Sequence, residues 1–188
     1  MTNLIPNREC GPCKACCEAP KIDDPQLRKL PGVVCSNHRE GLGCAIYEKR
    51  PATCQVWFCG WRMLPLGDEW RPDRCGIMIV PTSQASPVRP EDGLQFDLIK
   101  GLEKISWRPF LDLIMFLVEN AVPAYVAVPR GIGFNPHRCN LTTGQAMQRA
   151  VAQKDRALIA EALSKSVQAC LDHPKSKVEF ENGPPPLP

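Results

Sequence analysis

No stretch of this sequence stays apolar for long. The longest such run, Leu113 to Val118, is far shorter than the roughly 20 residues a membrane-spanning helix needs, so no membrane span is expected. Charge of one sign is equally scarce. Lys and Arg number 23 against 20 Asp and Glu, a net charge of +3, and no long basic run or basic-aromatic patch occurs, so nucleic acid is not expected as a partner. The phosphate-cradling and hydrolase signatures are also missing. There is no P-loop, no G-x-G-x-x-G, no G-x-S-x-G and no H-E-x-x-H, which leaves the usual nucleotide and hydrolase chemistries without a foothold. Met1 to Arg8 has no positive segment leading into an apolar one, so no signal peptide is read there, and the expected compartment is the reducing cytoplasm.

What the sequence has in excess is cysteine: eleven in 188 residues, nine of them within the first 75. In a reducing compartment clustered thiols are metal ligands or redox groups more often than disulfides, and an odd count fits a framework of bridges poorly. Four of them, Cys10, Cys13, Cys16 and Cys17, follow the spacing C-x2-C-x2-C-C. A C-x2-C pair turns two sulfurs toward one point, as in a metal knuckle or the first half of an iron–sulfur binding run, and Gly11-Pro12 suits the tight turn between them. Cys35, Cys44 and Cys54 arrive on later loops and would complete the site. Because neighbouring side chains diverge, Cys16 and Cys17 are expected to serve different partners.

The chain divides by composition. Residues 1–75 read as a cysteine-rich, loop-dominated, metal-binding region. Residues 76–173 read as an α+β region completing the same compact domain, and residues 174–188 as a proline-rich C-terminal tail. The fold class expected is α+β, with the thiol-rich half packed on a small sheet with two covering helices. The apolar share of 44% is enough for a real core. A loop-rich segment this short buries little by itself, so a metal would staple it.

Strands are expected at Gly76–Pro81, Leu94–Ile99 and Ala124–Val128, from short β-branched or alternating runs bounded by Pro and Gly. A loop is expected from Thr82 to Gly93. Helices are expected as a short turn capped by Asp24 with Pro25 at its first position, a turn from Pro51 carrying Cys54, and a helix from Trp107 to about Asn120 capped by Ser106. A long final helix should follow a Thr142/Gln145 capping box, with Ile159, Leu163, Val167 and Cys170 on one face. His137 and Cys139 are placed on a loop facing the site from the second half. Cys170 is read as a core residue and His38 as a loop histidine rather than a ligand.

Taken together, C-x2-C-x2-C-C, Cys35, and Cys44-Ala-Ile-Tyr47-x-x-Arg50-Pro51-x-x-Cys54 resemble the CxxCxxCC family, described as zinc- or iron-chelating domains. The motif-bearing part covers roughly residues 10–59, and the strand following Arg71-Pro-Asp-Arg-Cys-Gly looks family-like as well. The resemblance implies metal ligation by Cys10, Cys13, Cys16, Cys17, Cys35, Cys44 and Cys54. Some relatives with similar cysteine patterns are associated with lysine methylation of flagellin, but no methyl-donor signature occurs here. Thiolate donors suit either Zn²⁺ or an iron–sulfur cluster. Arg50 is the cation expected beside such a centre and Tyr47 the ring packed over it.

The function expected is a metal-binding protein whose zinc or cluster is structural, carries electrons or handles metal. The alternative is a metal-dependent or thiol-redox enzyme using the same cysteines. A thioredoxin-like use of Cys10 and Cys13 lacks the strand that should precede the pair.

Overall fold

The computed structural model describes residues 4–82, 93–100, 102–181 and 183. The chain is α+β. Its organising element is a four-stranded sheet of spatial order β5-β6-β7-β8, formed by Ile77–Pro81, Leu94–Leu98, Ala124–Val128 and His137–Asn140. Before it come two short hairpins, Ile22–Asp24 (β1) with Leu27–Lys29 (β2), and His38–Arg39 (β3) with Gly43–Cys44 (β4). The first half also carries four helices of one turn or little more: Ala15–Glu18 (α1), Ala52–Val56 (α2), Gly60–Met63 (α3) and Pro72–Cys75 (α4).

Strand β5 begins where α4 is stopped by Gly76 in the left-handed conformation, φ +74°, whose N–H returns to the Pro72 carbonyl. It pairs antiparallel with β6, and Pro81 ends it. Strand β6 runs parallel to β7, so the chain must cross over between them, and helix Arg108–Glu119 (α5) is that crossover. Pro109 sits in the first turn of α5, where its missing N–H costs nothing. Ser106 does not cap α5. It lies in a preceding 3₁₀ turn and donates to the Glu103 carbonyl, leaving Trp107 as the uncapped first residue.

Alternation along the strands splits the sheet into two faces. Ile77, Ile79, Phe96, Leu98, Val126 and Val128 look toward α5 and toward helix Arg156–Asp172 (α7), and with Phe110, Ile114, Ile159 and Leu163 they form the main core. The Phe96 and Phe110 rings meet edge to face, 5.1 Å between centroids. Met78 lies on the other face, buried with Cys13 and Ala15, and Trp57, Cys59 and Ile99 pack around that group. This second, smaller core joins the thiol-rich half to the sheet.

Three elements differ from the sequence expectation. Asp24-Pro25 starts no helix. Pro25 and Gln26 turn the β1–β2 hairpin, and the Asp24 carboxylate accepts from the Gln26 N–H at 2.9 Å, so its capping capacity closes a turn instead. His137 and Cys139 are not on a loop but on β8, the edge strand, paired with β7. The final helix is two helices, Gln145–Ala152 (α6) and α7. The chain breaks at Lys154, φ +53°, and Asp155 caps α7 by accepting from the amides of Ala157 and Leu158. Thr142 makes no capping box; its hydroxyl donates to the Val122 carbonyl and accepts from the Ala124 amide, fastening β7.

Beyond α7 the chain turns back. Residues 174–181 run along the Gly131–Asn135 loop and reach the first hairpin, with Val178 N–H to the Gly133 carbonyl at 2.9 Å and Glu181 N–H to the Asp23 carboxylate at 3.3 Å. The Pro184–Pro188 ending and most of the expected Thr82–Gly93 loop (residues 83–92) lie outside the described residues. No helix among the described residues is long and apolar enough to cross a membrane.

Candidate metal centre

Eight cysteines line one cavity of about 670 Å³. They are the seven expected ligands, Cys10, Cys13, Cys16, Cys17, Cys35, Cys44 and Cys54, and one more, Cys59. They arrive on separate pieces of local structure, two of which carry a pair. Cys10 and Cys13 flank a turn in which the Cys13 N–H returns to the Cys10 carbonyl at 3.1 Å. Cys16 and Cys17 ride on α1, and the Cys35 amide donates to the Cys17 carbonyl at 2.9 Å, tying the fifth thiol to the fourth.

Cys44 stands at the end of the β3–β4 hairpin, which rests on the Cys10–Cys13 turn. The contact is so close that a Cβ on Gly43 would collide with the Gly11 carbonyl oxygen, and Gly43 has φ +86° besides. Both facts require glycine there. Cys54 is on α2, whose start is held by Asp24: the carboxylate that closes the first hairpin also accepts from the Thr53 amide at 3.2 Å. These amides of Gln26 and Thr53 keep the Asp24 carboxyl below the ordinary carboxylate range.

The N-terminal segment is clamped over α3. The Arg8 guanidinium donates to the carbonyls of Trp61, Leu64 and Leu66 and stacks on the Trp61 ring, 5.2 Å from its centroid. That clamp puts Cys10 near the stretch that carries Cys59 and Arg62.

The sulfurs sort by neighbourhood. The side chains of Cys16 and Cys17 act on each other's protonation. Interaction with the Cys16 thiol lowers the Cys17 thiol to about 7 against the opposing effect of burial, and Lys29 and Arg50 add to the lowering. The same interaction and burial raise the Cys16 thiol, with Cys10 and Cys59 among its neighbours. Burial pushes Cys59 up to about 11, and the thiols of Cys10 and Cys13 beside it add to the rise. Burial also raises Cys44 and Cys54, and for both of them the sulfurs of Cys17 and Cys35 stand close enough to contribute. Cys10 and Cys59 thus stand near Cys16, and Cys44 and Cys54 stand near Cys17 and Cys35.

Cations surround the cavity. Arg50 and Arg62 line it, and the Nε of each is buried without a hydrogen-bond partner. The Arg50 guanidinium lies over the Tyr47 ring, and the Tyr47 hydroxyl, raised chiefly by burial, has Cys10 for a neighbour. The sequence signal that found Arg50 and Tyr47 was the motif. Lys29, Arg62 and Cys59 escaped it. Lys29 is buried, its ammonium bonded to the carbonyls of Glu18, Pro20 and Leu30, and burial lowers its pKa while the nearby Cys35 and Cys17 oppose that. Only its position between two thiols on a two-residue-turn hairpin could have flagged it.

The remaining candidates lie elsewhere. Cys75 is enclosed in the main core, its thiol against the carbonyls of Trp70 and Ile77. His38, on β3 opposite Cys44, is half-buried and does not line the cavity. His137 and Cys139 do not face the site: the His137 ring stacks on His173, and Cys139 meets Cys170. Cys170 is a buried core residue, as its helix face implied.

Among the described residues no three Cys, His, Asp or Glu side chains stand in a ready-made coordination shell. The thiols surround a space instead. As a donor set, eight sulfurs with two guanidinium groups beside them, the Nε of each without a hydrogen-bond partner, fit a soft metal: thiolates supply the bonds and the cations balance the negative charge a tetrathiolate carries. The chain matches no protein-family model, no curated protein and no solved structure.

Proposed function

We propose that this protein binds a thiophilic metal, as zinc or an iron–sulfur cluster, in the cysteine-lined cavity. The observation that carries the reading is the convergence there of eight cysteines from well-separated stretches of the chain, with Arg50 and Arg62 lining the same cavity. Folding brings thiols together against their mutual repulsion as thiolates and against the cost of burying cations; a bound metal repays both. Four sulfurs are the number that a tetrahedral zinc or a cubane cluster takes, and the eight in the cavity are enough for either. The resemblance of the motif to zinc- or iron-chelating domains supports the same reading.

When bound, the metal would supply a structural cross-link or, as a cluster, a one-electron centre. The chain's own contribution is clearer. Cys17, with its lowered pKa, offers a thiolate near neutral pH. Lys29, Arg50 and Arg62 offset accumulated negative charge, and Tyr47, Trp57 and Phe58 supply the aromatic part of the cavity lining. The role proposed is binding: structural, electron-carrying or metal-handling.

Differential alkylation tests this. In protein purified without oxygen or chelator, the eight cavity cysteines should resist iodoacetamide, and a strong chelator should release them together. An alkylation pattern unchanged by chelator would overturn the proposal.

A further inference from the structure

A second pair of sulfurs meets on the opposite side of the sheet from the cavity. The Sγ atoms of Cys139 on β8 and Cys170 near the end of α7 are 3.1 Å apart. A disulfide is about 2 Å long, so roughly one ångström of approach separates contact from bond. Both cysteines are positioned by the same residue of β7. Cys139 stands opposite Val126 in the antiparallel ladder, and the Cys170 thiol donates to the Val126 carbonyl at 3.6 Å.

Two further ties hold the helix end against the edge strand. Arg130 donates to the carbonyls of Cys170 and His173, and the rings of His137 and His173 stack with centroids 3.5 Å apart, 9° from parallel. The two thiols differ in access: Cys139 is partly exposed and Cys170 fully buried. Burial, with the hydrogen bond to Cys139, pushes the Cys170 thiol up to about 12.

We propose that Cys139 and Cys170 form a reversible redox dithiol, independent of the metal centre, that closes to a disulfide when exposed to a small-molecule disulfide such as oxidised glutathione. The accessible Cys139 reacts first. Its thiolate attacks one sulfur of glutathione disulfide, the S–S bond breaks, and one glutathione thiolate leaves. Cys170 then gives up its proton to solvent and its sulfur attacks the Cys139 sulfur, displacing the second glutathione thiolate. Two protein thiols are oxidised by two electrons, and one glutathione disulfide is reduced to two thiols. The new bond fastens the end of α7 to the sheet edge across 31 positions of sequence that include α6.

The two cysteines can be followed without interference from the other nine. Trypsin places them on peptides 139–149 and 166–175, neither of which contains another cysteine. Full-length protein as purified is equilibrated in glutathione buffers from reduced to oxidised, capped with N-ethylmaleimide and digested without reductant. The expected result is the linked pair of peptides, two hydrogens lighter than their sum, rising to the main species toward the oxidised end and reversed by dithiothreitol. In Cys170→Ser, peptide 139–149 should instead carry one glutathione. The inference is overturned if, in the natural protein at the oxidised end, peptide 166–175 remains capped by maleimide, whether 139–149 is capped or carries glutathione. The natural protein alone decides, so a poorly folding variant does not obscure the answer.

Discussion

The Arg50 guanidinium lies 3.8 Å from the centroid of the Tyr47 ring, and its Nε, buried beside the cysteine cavity, has no hydrogen-bond partner. A stacked, desolvated cation gains from the ring face, yet leaving a donor unpaired costs free energy that an anionic centre next to it would recover. Arg50→Met should therefore weaken metal retention with little change in fold. Loss of a supporting group of this kind typically lowers metal affinity about 10–100-fold. Competition against a chromogenic chelator measures it; an unchanged affinity in Arg50→Met would remove Arg50 from the site.

Gly43 bears the contact between the hairpin carrying Cys44 and the turn carrying Cys10 and Cys13. Gly43→Ala combines a positive φ with a collision against the Gly11 carbonyl oxygen. The expected loss is about 1–3 kcal/mol of stability, concentrated in the thiol-rich half. Hydrogen exchange should show weaker protection around residues 35–54 while α5 and the sheet stay protected. Uniform loss across the chain would contradict the assignment.

Lys29→Met keeps the volume of the stem but takes the ammonium away from the part-buried carbonyls of Glu18, Pro20 and Leu30; Glu18 and Leu30 retain the amides of Gly32 and Val33, and Pro20 loses its donor. An acceptor left unpaired in this way costs about 1–3 kcal/mol. Urea unfolding should register that loss, and the ordinary pKa of Cys17 should partly return, read as slower alkylation of chelated protein near pH 7, since Lys29 is one of the charges lowering it.

Much of the fold could be read from residue pattern, and so could most of the candidate site, for different reasons. Strands β5, β6 and β7 and helix α5 announced themselves because their apolar runs are continuous or periodic and are bounded by Gly and Pro. Strand β8 did not: His137-Arg-Cys-Asn is polar, and only pairing with β7 makes it a strand. Asp24-Pro25 carries the residues of a helix start, but its carboxylate closes a hairpin turn on the Gln26 amide and reaches the distant Thr53 amide as well. The Lys154 break was hidden because a left-handed lysine leaves no mark on composition. Among the thiols, spacing found those on short motifs, whereas Cys59 joined the cavity through packing of α3 on β5, which no local pattern encodes.

Asp97 supplies a test by pH. It borders a second cavity on the sheet face that meets the thiol-rich half, and it accepts a hydrogen bond from the Gln95 side chain at 2.7 Å. Burial raises its pKa from 3.8 to about 6, against the lowering effect of Gln95. The folded state thus holds the proton more tightly than the unfolded one. Its contribution to stability is full below about 3.8 and is lost as pH rises through about 6. Asp97→Asn should be more stable than the natural protein at pH 8, by about 1–3 kcal/mol, with the gap closing toward pH 4. Urea midpoints across that range check the sign; a gap that widens toward low pH would contradict it.

The central claim is that the cysteine cavity holds a thiophilic metal, and metal content with the visible spectrum of protein purified under anaerobic conditions tests it most directly. The account predicts either stoichiometric zinc in a colourless sample or iron and sulfide with broad absorption near about 400 nm, and in both cases a lowered metal content in a combined Cys17→Ser, Cys54→Ser variant. A natural protein that is metal-free when freshly purified, with its cavity cysteines joined in stable disulfides, would contradict it.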